Sequence, residues 1–170
     1  APAASVSLNG AGSSDGDGDT ITSNWTQLSG PAVTLTGATS LTPGFAAPAK
    51  TQAPQVMVFE LTINDGLTNA TDTVQITVPG NVGPTADAGA DQTVAGGDVV
   101  TLIAAGSVDG DGDPLTYAWT LLSGPSVTLS SATATTPSFT APAKTNAAQV
   151  MTFELVANDG FTTDSDTVAI

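Results

Sequence analysis

The stretch "ITSNWTQLSGPAVTL" occupies residues 21–35, and "LTYAWTLLSGPSVTL" occupies residues 115–129. In the second, Leu115, Tyr117 and Trp119 recur at every other position, and in the first Ile21 and Trp25 keep the same even spacing; in each a Ser-Gly-Pro turn then interrupts, and Val-Thr-Leu resumes the alternation. Successive side chains of a strand point to opposite faces. The alternation therefore sends Ile21 and Trp25, like Leu115, Tyr117 and Trp119, toward one buried face, with a further strand expected after each turn. This period of two is the signature of β-structure.

Working outward, a shift of 94 residues (Asp15 to Asp109) lays the two stretches on one another without a gap. It matches Asp15-Gly16-Asp17-Gly18-Asp19 to Asp109-Gly110-Asp111-Gly112-Asp113, and Pro43 and Phe45 to Pro137 and Phe139. "APAK", "FEL" and "NDG" recur at the same offset. Self-similarity of this kind means two domains of one type. They are assigned to residues 1–79 and 85–170, with Gly80-Asn81-Val82-Gly83-Pro84 as linker. Ala1 aligns with Ala95, so the first copy has no counterpart of "PTADAGADQTV" at 84–94 and lacks an opening strand. Each copy adds runs such as "VSLNG", "VMVFELTI" and "TDTVQITV". About seven strands over roughly 90 residues, with a Trp on the third, predict an all-β chain of two tandem immunoglobulin-like sandwiches. One position resists the pattern: Ile103 aligns with Asn9 and should face outward.

Composition narrows the function. Of 170 residues, 40% are hydrophobic, enough to bury a core, while only 11% are charged and the net charge is −14. Lys50 and Lys144 are the only cationic side chains. Nothing is available to neutralise phosphates, so nucleic acid and anionic membranes are excluded as partners, and no apolar run suggests insertion into a bilayer. The chain has neither His nor Cys. A Ser-His or Cys-His nucleophile and a zinc site cannot be assembled, and the two glutamates, Glu60 and Glu154, sit at equivalent strand positions rather than as a catalytic pair. The chain is read as no enzyme. Trp25 and Trp119 are read as core anchors rather than sugar platforms, and the lysines as solvated rather than crosslinked. The sequons at Asn24 and Asn69 have no counterpart in the second copy.

The aspartates carry the chemistry. Three carboxylates in five positions repel one another unless a cation lies among them. In this topology the loop holding DGDGD and the loop holding NDG lie at one end of the sandwich. Asp15, Asp17, Asp19 and Asp65 then converge in the first copy. Asp109, Asp111, Asp113 and Asp159 converge in the second, with Asn81 arriving on the linker. Such an all-oxygen set in a glycine-permitted loop suits Ca2+ better than Mg2+. An EF-hand does not fit, because its twelfth loop position falls on Thr26 or Thr120 rather than Glu. Solvated acidic turns are the alternative.

The run "GPTADAGADQTVAGGDVVTL", followed by "SVDGDGDPLTYAWTLLSGPSVTLSS", "PSFTAP", "FELVANDG" and "DTV", resembles a polycystic-kidney-disease (PKD) type immunoglobulin-like repeat. The resemblance covers all of the second copy and most of the first. In the commonest pattern a "WDFGDG"-like run follows the Trp, where "WTQLSGP" and "WTLLSGP" stand here. The resemblance implies an extracellular, cell-surface module with calcium held where Asn81, Asp109, Asp111 and Asp159 lie. It also implies work as a spacer, stalk, filament or adhesive element, whose partners are neighbouring repeats, other chains of a filament or cell-surface glycans. An accessory module of a secreted hydrolase, with weak glycan or substrate binding, is the alternative. Self-assembly through the sheet edge left by the missing strand is a third reading.

Overall fold

The computed structural model describes residues 4–170, so the first three residues of the expected first domain lie outside it. The chain divides into two compact units, Ala1–Asn81 and Val82–Ile170. Among the described residues every regular element is a strand, and no helix is long and apolar enough to cross a membrane.

The first unit contains β1 (Ser5–Ser7), β2 (Thr22–Ser29), β3 (Gly44–Ala46), β4 (Gln55–Asn64) and β5 (Asn69–Val78). β1 pairs antiparallel with β3, and β4 lies between β2 and β5, antiparallel to both. Met57, Phe59 and Leu61 alternate along β4 and are buried, as a half-covered sheet requires. Phe45 on β3 meets Phe59 on β4 with ring centroids 5.0 Å apart, which joins the two sheets into a sandwich. Leu8 and Trp25 complete this core.

The second unit contains β6 (Pro84–Thr85), β7 (Val99–Thr101), β8 (Val108–Asp109), β9 (Thr116–Ser123), β10 (Ser138–Thr140), β11 (Thr152–Asn158) and β12 (Thr163–Ala169). β7 pairs with β10, β11 lies between β9 and β12, and β6 pairs with β8. Phe139 and Phe153 repeat the cross-sheet contact at 5.0 Å, with Trp119, Met151, Leu155 and Val168 around them. The Ser-Gly-Pro turn needs its glycine in both units. Gly30 and Gly124 have φ of 93° and 101°, and an added Cβ would stand 2.8 Å from the Cα of Met57 or Met151.

Three expectations are corrected. Val33–Leu35 and Val127–Leu129 are not strands, although all four apolar residues at their ends pack half-buried against the cores. In the first unit the Gln27 side chain takes the place of a ladder: its Oε1 accepts the Val33 N–H (3.1 Å) and its Nε2 donates to Pro31 O (2.7 Å). In the second unit the Trp lies on the fourth strand rather than the third, because the short β8 (Val108–Asp109), paired with β6, precedes β9. Finally, most of "PTADAGADQTV" runs beside β12 without a backbone ladder. The Ala86 and Ala88 N–H groups donate to the Asp164 and Asp166 carboxylates (2.9 and 2.8 Å), and the Ala169 N–H donates to Asp91 (2.8 Å). Ile103 is 47% exposed and borders Gly89 of this segment, which accounts for an apolar residue where the first unit has Asn9.

Candidate metal centre

Strand register puts the two acidic loops of each unit at one end. Thr22 pairs with Asn64 and Thr116 with Asn158, so the chain leaving the DGDGD loop enters its sheet beside the chain entering the NDG loop. Thr22 Oγ1 and Thr116 Oγ1 each donate across this junction to the Asn64 or Asn158 carbonyl at 3.2 Å.

Within the first loop Asp15 acts as a hub. Its Oδ1 accepts the N–H groups of Asp17 (3.0 Å), Gly18 (3.0 Å) and Asp19 (3.1 Å), a wrap that requires the left-handed Gly18 (φ 93°). Its pKa is pulled down to about 2, first by the side-chain hydrogen bond with Asp17 and then by these backbone donors. Asp109 repeats the wrap, accepting from Asp111 (3.1 Å) and Asp113 (2.8 Å). Each loop brings three carboxylates together: one oxygen from each of Asp15, Asp17 and Asp19, and from each of Asp109, Asp111 and Asp113, lies within 4.8 Å of the others.

The remaining predicted residues are engaged differently. Asp65 Oδ1 accepts the Leu67 and Thr68 N–H groups and its Oδ2 the Thr68 hydroxyl (2.9 Å). The Thr68 N–H, more than the other donors, holds its carboxyl below the usual range. Asp159 makes the same bonds to Phe161 and Thr162 and is buried. Neither belongs to the 4.8 Å groups, which among the described residues are the only such acidic clusters. Asn81 closes the first unit, donating its N–H to Thr51 O at 2.9 Å. The next residue, which the sequence did not single out, reaches the second loop: Val82 donates its N–H to Asp111 Oδ2 (3.1 Å), and its side chain lies over Gly110.

The two loops differ in one respect that bears on chemistry. Asp109 Oδ2 is buried and has no hydrogen-bond donor. A buried carboxylate oxygen without a donor is costly unless a cation meets it. The donors gathered here are all oxygens, with no nitrogen or sulfur ligand, a set that fits a hard cation and not zinc.

No curated protein matches the chain. Among solved structures it is similar to a nucleoside hydrolase-related hypothetical protein from Saccharophagus degradans associated with carbohydrate metabolism. There the identity is 21% and the TM-score 0.47, over 54% of this chain and 26% of that one. It is also similar to an endo-fucoidan hydrolase of glycoside hydrolase family 107 (20% identity, TM-score 0.37, 99% of this chain and 31% of that one). The protocadherin GammaB4 extracellular domain is a further likeness (14%, 0.37, 99% and 31%). The chain thus spans less than a third of each of these. A family model described as K319L-like, PKD domain, matches residues 1–78 and again 88–170. Two antiparallel sandwiches built on one repeated sequence, each matched over nearly its whole length, make this chain a tandem pair of PKD domains and a member of that family.

Proposed function

We propose that the chain is a non-enzymatic, extracellular structural repeat whose loops bind calcium, working as a spacer or stalk element of a surface protein. The observation that carries this reading is the Asp109 Oδ2 atom, buried without a donor beside two further carboxylates. Calcium takes six to eight oxygens. Asp15, Asp17 and Asp19 would supply them in the first unit, and Asp109, Asp111 and Asp113 in the second. Asp65 and Asp159, at the same end of their units, and Asn81, beside Val82, are the further oxygen donors. The ion would supply the positive charge that two lysines in the whole chain do not.

Asp109→Ala is expected to weaken calcium binding at the second loop at least tenfold and leave the first loop's binding nearly unchanged, since distant sites act independently. Calorimetric titration would resolve the two sites. Equal loss at both loops would mean that bulk charge, not a local cage, governs binding.

The stalk reading has its own test. A short Gly-containing linker is flexible unless something ties it down. Val82 already bonds to Asp111, so an ion on that loop would hold the linker's end. Small-angle scattering should show a narrower distribution of dimensions with calcium than with chelator, and Asn81→Ala should erase part of the difference. Identical profiles in both buffers would refute stiffening while leaving calcium binding to be judged by calorimetry.

A further inference from the structure

Two asparagines of the first unit stand at strand positions that need none. Asn24 lies in the interior of β2 and Asn69 opens β5, although asparagine is a poor strand residue. Asn24 is exposed, and its carboxamide bonds to no described residue. Asn69 Oδ1 accepts from Asn64 Nδ2, while its own Nδ2 has no partner among the described residues. In the second unit Ala118 and Thr163 hold these positions, so the same sheet is built without either carboxamide.

Each of the two begins an Asn-x-Thr sequon, Asn24-Trp25-Thr26 and Asn69-Ala70-Thr71. Residues two apart in a strand share a face, so acceptor and hydroxyl project together. Asn24, Thr26, Asn69 and Thr71 are all exposed, and Trp25 between the first two is buried. Strand register puts both sequons on one face: Asn24 pairs with Thr62 and Thr62 with Thr71, so Asn24 and Thr71 flank β4 in a single row. Asn69 lies one row nearer the sheet end, about 12 Å from Asn24 at ordinary strand spacing. Around them on this face stand Thr22, Thr62 and Asn64, whose short side chains leave room for a bulky group. This exposure does not depend on what runs along the edge of β5. Thr163 and Ser165 are exposed as well, with residues 86–91 in place beside β12.

We propose that Asn24 and Asn69 are acceptor sites for N-linked glycans. The inference rests on the extracellular reading, because exported chains carry such sugars at surface sequons. The donor class is an oligosaccharide on a polyisoprenyl diphosphate. The Nδ2–C1 bond forms as the C1–O bond to the diphosphate breaks, the lipid diphosphate leaves, and one Nδ2 proton is released. Thr26 and Thr71 supply the hydroxyl that the transferase recognises. Asn24 sits within a paired strand beside the buried Trp25, so its transfer precedes closure of the sheet. The finished sheet keeps both sugars on its solvent side.

The test exports the whole 170-residue chain through the secretory route of a eukaryotic cell, then releases N-glycans with an amidase in heavy-oxygen water. Mass spectrometry should recover Asn24 and Asn69 as labelled aspartates and find no label in residues 85–170. Thr26→Val and Thr71→Val keep a β-branched side chain at each strand position, so the fold should survive. Each should remove one glycan and leave the other. Calcium titration of the exported chain judges the calcium-binding reading separately. A secreted, folded chain with sugar at fewer than both asparagines would overturn the proposal while leaving the extracellular reading standing. Labelling that survives the two substitutions, or that falls in the second unit, would overturn it equally.

Discussion

Replacing Phe153 by alanine should lower the stability of the second unit by about 3–5 kcal/mol, the usual consequence of emptying a closed aromatic site. Phe153 has no exposed surface, lies on the central strand of its sheet and touches Phe139 of the opposite sheet. Its loss removes both the buried area and the contact that closes the sandwich. Domains of this size are stable by roughly 5–15 kcal/mol, so the substitution consumes a large share of the margin. The first unit has its own Phe45–Phe59 pair and should keep its transition. Scanning calorimetry of the variant should therefore separate two melting events. A single unshifted transition would mean that the site collapses to fill the space or that the cores do not carry the fold.

Calcium should produce the second large effect. Extracellular modules bind the ion with Kd of about 10⁻⁴ to 10⁻³ M. At about 10 mM calcium, mass action then stabilises each loaded unit by about 1.4 to 2.7 kcal/mol. For domains under 100 residues this corresponds to a rise of roughly 6–20 °C in Tm. The second unit should gain more than the first. Its Asp109 Oδ2 is already desolvated and Asp113 is half-buried, whereas Asp17 and Asp19 are exposed. Melting curves that coincide in calcium and in chelator would remove the metal reading.

What could be read in the sequence was whatever repeats or acts locally. The alternation of Met57, Phe59 and Leu61, and its echo at Met151, Phe153 and Leu155, marked the central strands because burial on one face leaves a period of two. The DGDGD cluster was legible because its bonds span at most four residues. Side-chain substitution for backbone pairing left no such trace. Gln27 replaces a ladder at Val33, and Asp164 and Asp166 replace one along residues 86–88. The Asp164 and Asp166 bonds depend on which distant segments become neighbours, and the Gln27 bonds on how the chain folds back after its turn; periodicity encodes neither. The topology placed the Asp65 and Asp159 loops at one end, but which N–H groups Asp65 and Asp159 accept within those loops is set by the turn geometry, not by strand order.

The hub geometry of Asp15 has a kinetic meaning. Three N–H groups converge on one oxygen of this carboxylate, all of them from the loop's own backbone. A disordered acidic loop would have to freeze several backbone torsions on each encounter, at about 1–2 kcal/mol per residue. If the loop binds calcium as proposed, these bonds would supply much of that ordering beforehand. Capture would then be governed by how fast the ion sheds water rather than by chain rearrangement, and release would leave the loop in shape for the next ion. A calcium site of the proposed kind would then equilibrate with its surroundings continuously and keep no record of past exposure.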